Sequence, residues 1–272
     1  MIKNLISNLL HLVPSDLRYE ICRHHSHKEF AENQSDFFTN GELWLMKHLL
    51  PDVKTVFDVG AHRGEWATHA LRINPNIHLH CFEPSRKPFL KLQEKNFGEN
   101  VSCNCIGLGS ENRQMTLFVL KDGDEGNSLY FRKDLREADG GNTQYDTESV
   151  QIRTLDSYCQ EKHIDRIDFM KLDVEGAEFA VIEGGKECIQ REIIQVIQFE
   201  YGGTFIDSRT LLKDFFDFFN PMNYCFFLLY PNRLRYLPHY DRRLENFQYK
   251  NFLIVNNNLL RLNNFLKNIS YA

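Results

Sequence analysis

The chain has 272 residues, of which 42% are hydrophobic, 25% charged and 13% aromatic, and its formal net charge is −5. This composition is typical of a soluble globular protein with one large domain, and the negative charge argues against non-specific binding of nucleic acid. No stretch approaches the ~20 apolar residues that a membrane-spanning helix requires. Seven scattered cysteines without paired C-x-x-C motifs predict reduced thiols in a cytoplasmic protein rather than a zinc site.

Residues 1–50 predict an N-terminal helical extension, because the first apolar side chains recur at helical spacing. These side chains are Ile2, Leu5, Ile6, Leu9, Leu10 and Val13. We expect this amphipathic helix to pack on its own domain, where it would help to cap a substrate, or on the partner in a homodimer. Contact with a membrane surface is the alternative, and a polar face with little basic charge argues against it.

From residue 54 the pattern changes to strands that alternate with helices. The strand candidates are 54–59, 77–82, 101–106, 114–120, 149–154, 166–172, 193–199, 224–230 and 250–255. The helix candidates are 64–73, 85–95, 156–162, 177–190 and 208–219. The alternation predicts an α/β fold with right-handed β-α-β units, and the last two strands predict an antiparallel C-terminal edge. Ligands bind such sheets beyond the carboxyl ends of the strands.

Residues 121–149 interrupt this alternation. They are rich in Asp, Glu, Gly, Asn and Arg and show little periodicity. A loop of this length in a compact domain is usually functional or disordered. We expect an inserted loop that covers the ligand cleft and orders when substrate binds; a solvated surface excursion is the alternative.

The segment 56–65 predicts a strand, a glycine turn and the start of a helix in the pattern D-x-G-x-x-x-G. Gly60 permits the turn, and Gly64 permits close approach of the next helix and of a ligand. Glu83 ends the following strand, about where dinucleotide folds place the acid that binds a ribose. The segment lacks the G-x-G-x-x-G of an NAD-dependent dehydrogenase, and Asp58 precedes the glycine. A ligand with a ribose and a positive centre, such as S-adenosylmethionine (SAM), fits this pattern better than a pyrophosphate.

Acids also follow the next two predicted core strands. Asp173 and Glu175 follow one strand and Glu200 follows the next. If these strands are neighbours, Asp173 and Glu200 share a sheet edge, where they would bind a divalent cation such as Mg²⁺ or supply a general base. The alternatives are stabilisation of a helix N-terminus for Glu175 and an ion pair with Arg153 or Arg209 for Glu200.

Two histidines are further candidates for the site. His62 lies in the glycine turn, where we expect it to contact the cofactor through its backbone. His239 lies in a C-terminal loop from which it would reach a substrate; a solvated loop histidine is the alternative. The basic and aromatic run 233–243 would bind an acidic substrate or another subunit, or form a solvated face.

Several sequence blocks together resemble the FkbM family of SAM-dependent methyltransferases. They read F-D-V-G-A-H-R-G-E at 57–65, F-E-P-S at 82–85, R-T-L-D-S-Y at 153–158, I-D-F-M-K-L-D-V-E-G-A-E at 167–178 and F-E at 199–200. The resemblance covers about 54–255, and the family typically has Asn where His62 stands. It implies a Rossmann-like methyltransferase fold with a seven-stranded sheet, in a domain that spans residues 51–272.

The resemblance also implies SAM as the cofactor and S-adenosylhomocysteine (SAH) as its product. The predicted cofactor site comprises Asp58, Gly60, Ala61, His62, Gly64, Glu83, Pro84, Ser85 and Asp173. By similarity, Asp173, Glu175 and Glu200 would face the transferred methyl group.

The resulting hypothesis is an O-methyltransferase that modifies a hydroxyl of a sugar, a glycan or a secondary metabolite. The alternatives are an N-methyltransferase or carboxyl methyltransferase that acts on a peptide or natural product, and a non-catalytic SAM-binding module. We expect residues 1–50 and 121–149, which lie outside the matching blocks, to select the small-molecule, glycan or peptide acceptor.

Overall fold

The computed structural model describes residues 13–18, 20, 24, 35–120, 126–132 and 144–262. Most of the predicted N-terminal amphipathic helix lies outside these ranges, so its packing and the homodimer stay predictions. None of the helices in the described ranges has the length and apolarity needed to cross a membrane.

Strands and helices alternate along most of the described chain. The strands are β1 (Thr55–Val59), β2 (His78–Phe82), β3 (Val101–Asn104), β4 (Gly107–Leu108), β5 (Arg113–Leu120), β6 (Tyr145–Arg153), β7 (Phe169–Leu172), β8 (Val196–Tyr201), β9 (Tyr224–Tyr230), β10 (Arg233–Leu237) and β11 (Lys250–Asn256). The helices are α1 (Glu42–Leu49), α2 (Glu65–Ile73), α3 (Arg86–Glu94), α4 (Leu155–Lys162), α5 (Glu178–Gly184), α6 (Lys186–Gln190), α7 (Thr204–Ser208), α8 (Leu212–Phe219) and α9 (Asn257–Leu262).

Within the described ranges, eight strands form the main sheet in the order β10-β9-β11-β8-β7-β1-β2-β3. The strands from β3 to β8 in this order pair in parallel, whereas β11 runs antiparallel to β8 and β9. The predicted α/β class, with a mainly parallel sheet and an antiparallel C-terminal edge, is therefore confirmed. The sheet has one strand more than the resemblance implied, because the chain reverses at Pro231 and returns as β10 beside β9.

The strands predicted at 114–120 and 149–154 do not join the parallel sheet. They form β5 and β6, which pair antiparallel and, with β4, make a separate three-stranded sheet among the described residues. Leu117, Val150 and Ile152 form a small core under it. Because β6 begins at Tyr145, the inserted loop ends earlier than the predicted 149.

Both faces of the main sheet are covered, as a parallel sheet requires. Neighbouring side chains of β1 point to opposite faces, so Val56 packs with the cluster that contains Leu45 and Trp66. Phe57 packs with the cluster that contains Tyr158 and Phe215. The helices α1 and α2 thus cover one face, and α4 and α8 cover the other.

Two predicted helices differ from the structure in their bounds. The helix predicted at 177–190 is divided into α5 and α6, which meet at Gly184 and Gly185, and Gly184 packs against the backbone of Gly109. A Cβ atom at Gly184 would lie 2.0 Å from that carbonyl oxygen. The helix predicted at 208–219 starts later, at Leu212, and the short helix α7 precedes it.

Candidate functional site

Strand register brings the predicted turn and acids to one edge of the main sheet. Val59, which ends β1, pairs with the last residues of β2 and β7, and β7 pairs with β8. The residues just beyond these pairs therefore form one row at the carboxyl ends of the parallel strands. The row consists of Gly60, Glu83, Asp173 and Glu200.

This row lines a cleft of about 650 Å³, which lies in the size range of small-molecule sites. Of the residues predicted for the site, the cleft is lined by Gly60, Ala61, His62, Glu83, Pro84, Asp173, Glu175 and Glu200. The three-stranded sheet supplies an apolar wall that includes Leu108, Leu117 and Ile152. Phe37, Phe38 and Glu42 line the cleft from the segment that precedes β1.

The glycine turn is held by close packing against the end of β7. Gly60 has φ +89°, and a Cβ atom at this position would lie 1.8 Å from the backbone oxygen of Asp173. Only glycine fits both the left-handed conformation and the contact. His62 also has a positive φ, +47°, which turns its backbone N–H toward Glu83.

The Glu83 carboxylate accepts two backbone hydrogen bonds, from His62 at 3.0 Å and from Ser85 at 2.8 Å. It lies at the cleft wall and is 6% exposed. Burial raises the pKa of Glu83 to about 7, although the two N–H groups favour the ionised form. Glu83 is therefore an acceptor that is fixed in direction and faces a ligand-sized space.

Lys171 places a positive charge under this row of acids. Its ammonium lies 2.7 Å from Oδ2 of Asp173, and Lys171 pairs with Asp58 across β1 and β7. Burial works against the charge, but the neighbouring acids Asp173, Asp58 and Glu42 outweigh it and raise the pKa of Lys171. Lys171 was not predicted as a site residue, because it lies inside an apolar run.

Asp58 lies beneath the cleft and is not among its lining residues. It is fully buried in β1, and neither carboxylate oxygen has a hydrogen-bond partner within the described residues. Burial raises the pKa of Asp58 to about 6, against the opposing effect of Lys171. Asp58 therefore lies next to Lys171 and does not face a ligand in the cleft directly.

Gly64, Ser85 and His239 also lie outside the cleft lining. Gly64, with φ +81°, permits α2 to pack on α3, since a Cβ atom would lie 2.7 Å from Leu92. The Ser85 hydroxyl donates to Glu148 at 2.9 Å. His239 is exposed, because β10 runs antiparallel to β9 and carries the chain away from the cleft edge.

Glu200 lies beside Asp173 in the row, and no hydrogen bond or ion pair joins its carboxylate to another described side chain. Burial and the neighbouring Asp173 and Glu175 raise the pKa of Glu200 well above its usual range. The alternative ion pairs of Glu200 do not form, since Arg153 pairs with Glu161 at 2.6 Å and Arg209 lies in the turn after α7. A half-buried carboxylate with a raised pKa next to a cleft is suited to accept a proton.

Glu175 and Glu178 have different environments. Glu178 is buried and accepts N–H bonds from Val174 at 2.9 Å and Gly176 at 3.0 Å, so it stabilises the turn before α5. Glu175 faces the cleft and contacts Arg132 of the inserted loop at 3.2 Å. The Ser128 hydroxyl donates to the Glu175 carbonyl at 2.7 Å. The described residues 126–132 of the loop therefore lie at the cleft, and its ordering on substrate binding stays a prediction.

Among the described residues, no group of three or more His, Cys, Asp and Glu side chains could hold a metal ion. Asp173 already contacts the Lys171 ammonium. A Mg²⁺ site at Asp173 and Glu200 therefore gains no support from the structure.

A family model for the methyltransferase FkbM domain matches residues 58–244. A curated relative, 2-O-methyltransferase NoeI from Sinorhizobium fredii, is 26% identical over 144 residues, which are 50% of this chain and 59% of that protein. Methyltransferase 1 from Beauveria bassiana is 25% identical over 181 residues, which are 60% of this chain and 72% of that protein. The crystal structure of a methyltransferase FkbM from Methylobacillus flagellatus has a TM-score of 0.46 and 16% identity, over 74% of this chain and 44% of that one.

Proposed function

Because the chain belongs to the methyltransferase FkbM domain family, we propose that it is a SAM-dependent O-methyltransferase of a sugar, glycan or secondary-metabolite hydroxyl. The observation that carries this proposal is the row of Gly60, Glu83, Asp173 and Glu200 along one cleft. The row combines a backbone turn without a side chain at Gly60, an acceptor for hydroxyls at Glu83, and a carboxylate at Glu200 that no described side chain pairs with.

The residues of the row fit the parts of SAM. Glu83 offers fixed carboxylate oxygens to ribose hydroxyls, and the turn at Gly60 leaves space for close approach of a ligand to the backbone. Leu108, Leu117 and Ile152 offer an apolar wall for a flat ring. The acids of the row favour a ligand that carries ammonium and sulfonium charges.

When bound, SAM supplies a methyl group to the acceptor oxygen and becomes SAH. The C–S bond breaks with its electron pair going to sulfur, the O–C bond forms, and the hydroxyl proton must leave. We assign this proton to the Glu200 carboxylate, which has a raised pKa and no hydrogen-bond or ion-pair partner among the described side chains. Asp173 contacts the Lys171 ammonium, so we assign it to positioning the reactants and to balancing the positive charge of Lys171. Most of the rate increase would come from alignment of the two reactants in the cleft.

The 2-O-methyltransferase among the relatives supports oxygen as the acceptor atom. The chain spans 59% of that relative's length, so the acceptor's identity and the choice of O- over N-methylation belong to this proposal. A cytoplasmic location and assembly as a homodimer are proposed on the sequence alone.

Isothermal titration calorimetry with SAM, SAH and NAD⁺ is the primary test. We expect SAM and SAH to bind and NAD⁺ not to bind. Failure of both sulfur compounds to bind would refute the proposed cofactor, and binding of NAD⁺ in their place would favour the dehydrogenase.

The proton acceptor is tested with Glu200→Gln and labelled SAM on a panel of sugars and natural-product alcohols. We expect SAH affinity to change little, because Glu200 faces the acceptor, while methyl transfer falls by about 100-fold or more. Full transfer by Glu200→Gln would show that another group removes the proton.

A further inference from the structure

Glu42 is a buried acid that the proposed methyl transfer does not use. It begins α1, outside the residues 58–244 that match the family model. Glu42 is 6% exposed and lines the cleft. Its Oε1 accepts from Asn40 Nδ2 at 2.7 Å, but Oε2 is buried without a hydrogen-bond partner in the described part of the chain.

A buried carboxylate oxygen without a partner costs free energy that a ligand can recover. Native proteins rarely leave such an oxygen unsatisfied. Because Glu42 lines the cleft, a ligand bound in the cleft is the candidate partner.

The surroundings of Glu42 favour a cation as that partner. Burial raises the pKa of Tyr249, and the nearby charges of Glu200 and Glu42 raise it further, so both acids lie near this tyrosine. The Tyr249 hydroxyl accepts from Asn40 at 3.3 Å. The nearby cation, Lys171, already contacts Asp173. Among the described residues that line the cleft, the carboxylates thus outnumber the lysines.

Aromatic rings form the adjoining wall of the cleft. Phe37 packs on His69 with ring centroids 4.9 Å apart, and Phe38 lies edge-on to the same ring at 5.6 Å. Burial and Arg72 lower the pKa of His69, so its ring adds no positive charge near neutral pH. Ring faces beside carboxylates attract an organic ammonium group more than a neutral alcohol.

We propose that Glu42 binds a protonated amine of the methyl acceptor, which makes the acceptor an amino sugar or another amino alcohol. This inference rests on the proposed function and narrows its substrate class. A protonated amine has no lone pair with which to attack a methyl group, so an amine held at Glu42 directs transfer to a hydroxyl of the same molecule.

The test uses n-butylammonium and n-butanol as matched probes, titrated into the protein with and without SAH and followed by ligand-observed NMR. We expect the ammonium to bind at least about tenfold more tightly than the alcohol, since hydrogen bonds to charged groups are the stronger ones. Glu42→Gln should remove most of this difference. Glu65→Gln is the matched control, because Glu65 is an exposed acid on the same cleft, and it should keep the difference.

Several outcomes would overturn the inference. These are equal affinity for the two probes, an unchanged preference in Glu42→Gln, or an equal loss of preference in Glu65→Gln.

If SAH excludes the ammonium and Glu42→Gln weakens the binding of SAH, the cation at Glu42 is that of the cofactor. The inference is then wrong while the proposed function stands. If the wild-type protein does not bind SAH, the proposed function fails, and the titration without SAH still decides whether Glu42 binds a cation. A thermal melt of each variant verifies that it is folded.

Discussion

Glu83 Oε2 accepts the backbone N–H of His62 at 3.0 Å and so ties the glycine turn after β1 to the end of β2. The second oxygen accepts the N–H of Ser85 at 2.8 Å. One carboxylate therefore fixes two backbone segments of the cleft and leaves its remaining lone pairs for a ligand. The residue that we propose as the ribose acceptor is therefore also a structural link between β1 and β2.

The first prediction concerns Glu83→Gln. The amide keeps the size of the side chain but replaces one acceptor oxygen by a donor, which must face either a backbone N–H or a ribose hydroxyl. We expect SAH affinity to fall by about 5- to 100-fold, equivalent to roughly 1–3 kcal/mol, measured by calorimetry. Glu65→Gln serves as the control on the exposed rim, and equal affinity in the two variants would refute the placement of Glu83 at the ribose.

The second prediction concerns stability against pH. Burial raises the pKa of Glu83 to about 7 and that of Glu178 to about 8, both from a usual value of 4.5. Above 4.5 the folded state therefore holds more protons on these groups than the unfolded state does, and stability falls as pH rises. His80, whose pKa is lowered from 6.5 to about 4, has the opposite effect, but mainly below pH 6.5.

We therefore expect the Tm of the ligand-free protein to decrease between pH 6.5 and pH 8, the range set by these pKa values. Scanning fluorimetry at constant ionic strength measures this trend. The decrease should be smaller in Glu83→Gln, which removes one of the two titrating groups. A Tm that stays level or rises over the range would contradict the raised pKa values.

The local motifs explain why the edge of the sheet was predictable. The positions of Gly60 and Glu83 were predictable, because the residues next to them mark the turn after β1 and the end of β2. The sequence placed Asp173 beside Glu200 on the condition that their strands are neighbours, and the pairing of β7 with β8 meets that condition. The prediction needed no side-chain detail.

The missed features depend on contacts between distant parts of the chain. Asn40 and Tyr249, which flank Glu42, are separated by 209 residues, so no local pattern could mark Glu42 as a cleft residue. A role for Lys171 in the site was not predicted, because the other residues of its strand are apolar. The departure of β5 and β6 into a separate sheet follows from their pairing with each other, which a strand pattern does not reveal.

The third prediction concerns the Lys171–Asp173 charge pair. Lys171→Met leaves Asp173 and Asp58 without the cation beside them. Because the Asp173 side chain is 34% exposed, this loss costs about 1–3 kcal/mol rather than the larger penalty of a fully buried pair. We expect the free energy of unfolding in urea to fall by that order. Adding Asp58→Asn to Lys171→Met should restore part of the loss, because one of the uncompensated acids is then neutral. A double variant less stable than Lys171→Met would show that Asp58 does not depend on the lysine.

The fourth prediction compares two glycines in the turns that follow β1 and β8. Gly60→Ala would place a Cβ atom 1.8 Å from the Asp173 oxygen, at φ +89°, and the turn must move to relieve the overlap. We expect a loss of about 2–4 kcal/mol in stability, or failure to fold, from strain and overpacking together. Gly203→Ala is the control, since no atom lies within 4 Å of its added Cβ and its φ is −60°. The stability of this variant should change by less than about 1 kcal/mol.

Urea unfolding measures the stability of both variants. SAH titration of any folded Gly60→Ala protein should show weaker binding, because the displaced turn carries the His62 N–H that orients Glu83. Equal stability of the two variants would mean that the turn is free to shift, and the close contact between the ends of β1 and β7 would then not define the cleft.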